Sequence, residues 1–144
     1  FINGLTGITA ETLKDAPPVE KVIKDFQEFV GSLPMVGYNA AKSDLPILAE
    51  HGLDYSQQYK VDLYDEAFER RSSDLHGIAN LKLQTVASFL GFQGQSHNSL
   101  EDARMTARVY ESFLESDQAR ELLGAESSLS NNPFGGLDLS QLFD

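Results

Sequence analysis

No cysteine occurs anywhere in the 144 residues. Disulfides, thiolate metal sites and cysteine nucleophiles are thereby excluded. Cations are scarce as well: 11 Lys and Arg stand against 22 Asp and Glu, for a formal net charge of −11. That balance disfavours a broad phosphate-gripping surface of the kind that coats or slides along DNA. It leaves room for an enzyme that holds a few nucleotides through bound cations, because carboxylates that gather divalent metals make a chain more acidic. No apolar run approaches the length of a transmembrane span. A cytoplasmic protein without a membrane partner is expected.

Core material, in contrast, is plentiful. Hydrophobic residues make up 41% of the chain, with nine Phe and five Tyr, and the length suits one domain. That domain is expected over residues 1–125. From Glu126 onward the composition turns to Ser, Asn and Gly, so residues 126–144 read as a flexible acidic tail, with Glu126 to Gly136 as linker. The stretch FINGLTGITAETL opens the sequence like the middle of a domain, and missing structure upstream is expected.

The remaining segments alternate between helix and strand signals. Thr9 is placed to cap a short helix, and a second helix follows Pro17-Pro18, with Val19, Val22, Ile23, Phe26, Phe29 and Val30 on one face. Met35-Val36-Gly37-Tyr38 reads as a buried strand, followed by a helix from Ser43 to Glu50. Tyr59 to Tyr64 reads as a second strand, Asp65 to Arg71 as helix, and Leu81 to Leu90 as a helix stopped by Gly91. In the last long helix Leu100, Ala103, Ala107, Tyr110 and Leu114 recur at helical spacing, behind an Asn98–Glu101 pattern that resembles a capping box. Helices alternating with two strands make an α/β pattern.

Within that pattern, polar residues collect where α/β folds place their sites, at strand ends and helix starts. Asn39 and Asp44 follow the first strand. His97 stands five residues before Asp102, at the entrance of the long helix. Two readings stay open for that pair. Asp102 complements the helix dipole while His97 is a solvated loop residue, or the two converge on one substrate. His51 and His76 read as loop residues, since neither has a ligand partner at metal-binding spacing.

GYNAAKSDLPIL, from Gly37, resembles the second motif of the DEDDh exonucleases, the proofreading-type 3′–5′ exonucleases of the ribonuclease H-like fold. HNSLEDARMT, from His97, resembles that family's third motif, in which His, an Asp five residues on, Ala and a later Thr recur. LTGIT with LKDAPP resembles the segment between the first and second motifs, and VDLYDEAF the opening of the next strand. The similarity runs in order from about Ile2 to Leu114. There are two departures. The family's first motif, an Asp-x-Glu, would lie upstream of Phe1, and Asn39 and Asp44 are five residues apart where four is usual.

The resemblance implies an α/β, ribonuclease H-like fold lacking its first strands. It also implies hydrolysis at a nucleic-acid 3′ end, most often of single-stranded DNA, with two Mg²⁺ or Mn²⁺ ions roughly 4 Å apart. Asp102 and Asp44 would bind metal and His97 would be the general base. Asn39 would either orient substrate or tie down its turn, and Leu5 and Thr6 would meet the terminal base. The rival reading is a non-catalytic module that binds a protein partner or a nucleic-acid end. Residues 137–143 resemble a sliding-clamp-binding peptide, with Leu139 where a Gln is usual, or else form a disordered apolar end.

Overall fold

A computed structural model describes residues 2–94 and 98–123. His97 and the whole of 126–144, including the candidate partner segment 137–143, lie outside the described residues. Seven α-helices and two strands follow one another among those described: α1 (Ile2–Thr6), α2 (Ala10–Leu13), α3 (Val19–Val30), β1 (Met35–Gly37), α4 (Asp44–Glu50), β2 (Lys60–Asp62), α5 (Leu63–Glu69), α6 (Leu83–Phe89) and α7 (Ser99–Leu122). A 3₁₀ turn, Arg70–Ser72, extends α5.

β1 and β2 pair in parallel with Met35 opposite Lys60, Val36 opposite Val61 and Gly37 opposite Asp62. Parallel strands need a crossover, and α4 supplies it. The polar ends of both strands therefore emerge on one side. A single sharp turn leaves β1, and Gly37 permits it: a Cβ there would stand 2.4 Å from the Ala40 Cβ.

The core is helical. Leu63 and Ala67 of α5, Leu75, Val86 and Ala87 of α6, and Met105, Val109, Tyr110, Phe113 and Leu114 of α7 form one buried cluster. Val36 and Val61 of the strands pack against it. Burial of this many apolar side chains, at about 1.5–3 kcal/mol each, is what fixes α7 across the sheet.

Several expectations hold locally. Thr9 caps α2 reciprocally with Thr12. Asn98 caps α7 by accepting from the Leu100 and Glu101 amides. Glu101, expected to complete a capping box, instead accepts from Arg104 at 2.7 Å. The second strand ends at Asp62, two residues earlier than its pattern suggests, because the Asp62 carboxylate caps α5.

Two apolar faces differ from their expected phase. On α7, Leu100 and Ala103 are exposed, while Met105, Thr106, Val109 and Phe113 turn inward. Ala103 lines an open cleft, so it meets space rather than core. On α3 only Ile23 is buried; Val19 and Val22 are exposed, and Phe29 is 84% exposed.

Candidate functional site

The turn after β1 is built around one carboxylate. Asp62, at the end of β2, accepts from the Asn39 amide at 2.6 Å, the Ala41 amide at 3.1 Å and the Tyr64 amide at 3.1 Å. It thereby caps α5 and clamps the β1 turn in one act. Asn39 has φ +55°, a left-handed conformation that Asn tolerates better than most residues. The Ser43 hydroxyl donates to the Asn39 carbonyl at 2.9 Å and lies 2.7 Å from Asp44 Oδ2. The extra residue between Asn39 and Asp44 is thus taken up in the turn, and Asp44 starts α4.

Asp44 and Asp102 line one cleft of about 930 Å³, together with Asp62 and Asp65. Its remaining walls are largely apolar, among them Met35, Leu45 and Ala103. The four carboxylates are engaged unequally. Asp62 is held by backbone amides, and Asp44 has one hydroxyl on one oxygen. The Asp102 and Asp65 carboxylates form no hydrogen bond or ion pair with any described residue. Asp102 is steadied through its backbone, its amide donating to Asn98 and its carbonyl accepting from the Thr106 hydroxyl at 2.8 Å.

Such hard oxygen donors suit Mg²⁺ or Mn²⁺. Among the described residues, no three His, Cys, Asp or Glu side chains gather closely enough to hold an ion by themselves. The Asp44 and Asp102 carboxylates are of the right chemistry for such an ion but do not by themselves make a complete site among the described residues.

The other sequence-derived candidates fall elsewhere. Asn39 faces a second cleft beside the first. Leu5 and Thr6 sit on α1, where the Thr6 hydroxyl accepts from the Ile8 amide at 3.2 Å; neither lines the carboxylate cleft. His97 directly precedes the α7 cap, outside the described residues. Sequence reading passed over Asp62 as a positioning residue and Asp65 as a lining one. The signal was present in Val61-Asp62-Leu63-Tyr64-Asp65, a strand running straight into a helix with an Asp at the junction.

A parallel βαβ unit with carboxylates at its carboxyl edge is the arrangement of many phosphate- and metal-handling α/β enzymes. Comparison with known proteins makes the class definite. The exonuclease family model matches residues 1–110, and the chain belongs to that family. A DNA polymerase III PolC-type protein of Caldanaerobacter subterraneus is 30% identical over 116 residues, covering 80% of this chain and 8% of that protein. The DNA polymerase III subunit epsilon of Aquifex aeolicus is 29% identical over 119 residues, covering 79% of this chain and 56% of the subunit. The chain therefore spans about half of the epsilon subunit and under a tenth of the PolC-type protein. No solved structure matches.

Proposed function

We propose that the chain contributes to a 3′–5′ exonuclease of the DEDDh type, with ribonuclease H-like topology, that trims single-stranded DNA ends. The observation that carries this reading is the cleft itself: Asp44 and Asp102, from the first turns of two different helices, face one space and are largely unengaged. Like charges facing one space repel one another, and a cation joining them relieves that repulsion. Asp44 and Asp102 are the residues that would hold a divalent ion, which when bound offsets phosphate charge and eases ionisation of water.

The chain's own side chains would do the rest. His97, the residue before Asn98 in the sequence, accepts the proton of the attacking water as general base. Asn39, fixed in its turn by Asp62, contacts the substrate from the rim. Leu5 and Thr6 belong to the same reading as contacts to the terminal base. DNA is favoured as substrate because the relatives are DNA polymerase III proteins, and a cytoplasmic location follows from that role. A second reading, a non-catalytic binding module, is favoured by the lack of three converging metal ligands among the described residues.

A nuclease assay on 5′-labelled single-stranded DNA with Mn²⁺ separates the two. A ladder of progressively shortened labelled products is expected, lost with EDTA and slowed by about 10² to 10⁴ in His97→Ala. Immediate release of labelled mononucleotide would reverse the polarity. Intact DNA with the unaltered chain would leave the binding module as the function.

A further inference from the structure

At the end of α5 away from the carboxylates lies an open recess of about 380 Å³ that shares no residue with either cleft. Fully buried Leu75 lines it, with half-buried Ile78 and with Phe68, which is 51% exposed. Backbone bonds hold its shape. The Ser73 and Leu75 amides donate to the Arg70 carbonyl at 3.0 and 2.9 Å, and the Ile78 amide to the Leu75 carbonyl at 3.1 Å. The recess is formed before anything enters it.

Arg71 gives it a cation. The guanidinium lies 3.8 Å from the Phe68 ring centroid, and its Nε donates to the Phe68 carbonyl at 3.3 Å. Lys14, Lys42, Lys82 and Arg108 likewise lack an ion pair among the described residues. Arg71 differs in its anchorage: stacking and the Nε bond fix its plane, and both Nη groups are left to donate. An oriented guanidinium on an exposed phenylalanine suits a carboxylate carried beside an apolar side chain. Glu69 on the rim offsets part of that charge, so apolar contact must supply much of the binding.

We infer that the recess receives this chain's own residues 137–144, with Leu142 or Phe143 against Phe68, Leu75 and Ile78, and Asp138 or Asp144 on Arg71. The chemistry matches: LDLSQLFD holds four large apolar residues, two aspartates and no cation. So does the position. Arg70, the neighbour of Arg71, grips Asp117 of α7, and the Ser116 hydroxyl contacts Asp74 at 2.9 Å. Leu122 closes α7 five residues beyond Asp117, roughly 8 Å further along the helix. From there residues 123–136 span up to about 45 Å if extended and about 20 Å as a coil, which reaches the recess either way. A tether of that length gives an effective concentration on the order of millimolar, so a contact with Kd about 0.1 mM would be closed in about nine chains of ten.

The exposed face of α3 offers no such match. Val19, Val22 and Phe29 are exposed there, but Lys21 is engaged with Asp25 and Lys24 with Glu28. An acidic segment would meet Glu20, Asp25 and Glu28 without a free cation. Docking in the Arg71 recess withholds residues 137–144 from any external partner until that partner displaces them.

The lack of cysteine makes a direct test possible. A nitroxide on Ser140→Cys in the ¹⁵N-labelled full chain should broaden the Gly77 and Ile78 amides strongly and those of Val22 and Phe29 far less. Arg71→Glu is expected to weaken docking at least about tenfold, which lowers the closed fraction from about nine in ten to half or less. Leu142→Ser with Phe143→Ser should abolish the broadening, and Lys14→Glu, on an exposed residue outside the recess, should leave it unchanged. The dispersion of each ¹⁵N spectrum reports that the variant is folded. Sharp Gly77 and Ile78 amides in the unaltered fold, or broadening that persists in either docking variant, would overturn the inference. Equal broadening of ¹⁵N chains that carry no nitroxide, when mixed with spin-labelled ones, would overturn it as well by making a second copy the occupant.

Discussion

Asp102 and Asp117 sit on the same helix, fifteen residues or roughly 22 Å apart, and have opposite surroundings. Asp117 is buried and fully engaged. Arg70, 1% exposed, grips it with both guanidinium arms at 3.0 and 2.6 Å, holds Asp74 at 2.8 Å, and lies 4.4 Å from the Phe113 ring centroid. Arg120 adds a bond to Asp117 at 3.1 Å and pairs with Asp74, which the Ser116 hydroxyl also contacts. Asp102, at the other end, faces an open cleft with three more carboxylates and no cation among its lining apart from Lys60, which is engaged with backbone carbonyls. One cluster joins α5 to α7 with matched charges. The other holds like charges together unmatched. The paired carboxylates fasten the fold; the unpaired ones face open space.

The largest expected effect comes from unbalancing the closed cluster. Arg70→Ala leaves Arg120 alone to balance the Asp74 and Asp117 carboxylates, and should cost about 3 kcal/mol in urea unfolding. A loss under about 1 kcal/mol would mean that the cluster is solvated and the contrast with the cleft is false.

Next is the clamp that shapes the cleft. Asp62→Asn replaces a charged acceptor of three amides with a side chain that turns one donor toward donors. A loss of about 1–3 kcal/mol is expected, together with weaker activity as the Asn39 turn loosens. Undiminished activity in a destabilised variant would separate the turn from the chemistry.

The smallest effect tests the edge of the closed cluster. Glu66 lies 3.8 Å from Arg70, yet burial outweighs that attraction and holds its carboxyl above the ordinary 4.5. A raised acid is protonated more readily in the fold than in the unfolded chain. Its contribution is therefore fully present below about pH 4.5 and is lost as pH rises through the higher folded value. Glu66→Gln should stabilise the chain at neutral pH by under about 1 kcal/mol, with the gain vanishing in acid. A loss at neutral pH would show that the Arg70 attraction dominates.

How much of this was legible in the sequence follows from the same contrast. Asp44 and Asp102 were singled out from the resemblance of their segments to two exonuclease motifs, and the structure places both on one cleft. The two strands and most helices were legible from local apolar patterning. The Arg70–Asp117 pair was not, since 47 residues separate the partners and nothing local distinguishes a buried arginine from a solvated one. The α7 face was misphased where it leaves the core for the cleft, because apolar spacing records only that a residue is apolar, and Ala103 lines a space. The α3 face was read as buried from its period alone, whereas Phe29 is exposed. Asp62 looked like an ordinary strand residue until its three amide partners came from two chain segments.

The most direct test of the contrast is thermal unfolding with and without Mn²⁺, for the unaltered chain and for Asp102→Asn and Asp117→Asn. An ion that binds only the fold raises its stability by RT ln(1 + [L]/Kd), so about 2.7 kcal/mol is expected at a hundredfold excess over Kd. The account predicts that Mn²⁺ raises the midpoint of the unaltered chain and of Asp117→Asn, from its lower starting point, and leaves Asp102→Asn unmoved. An unaltered chain indifferent to Mn²⁺, or an Asp102→Asn variant that responds equally, would contradict the claim that the open carboxylates are held ready for a metal ion.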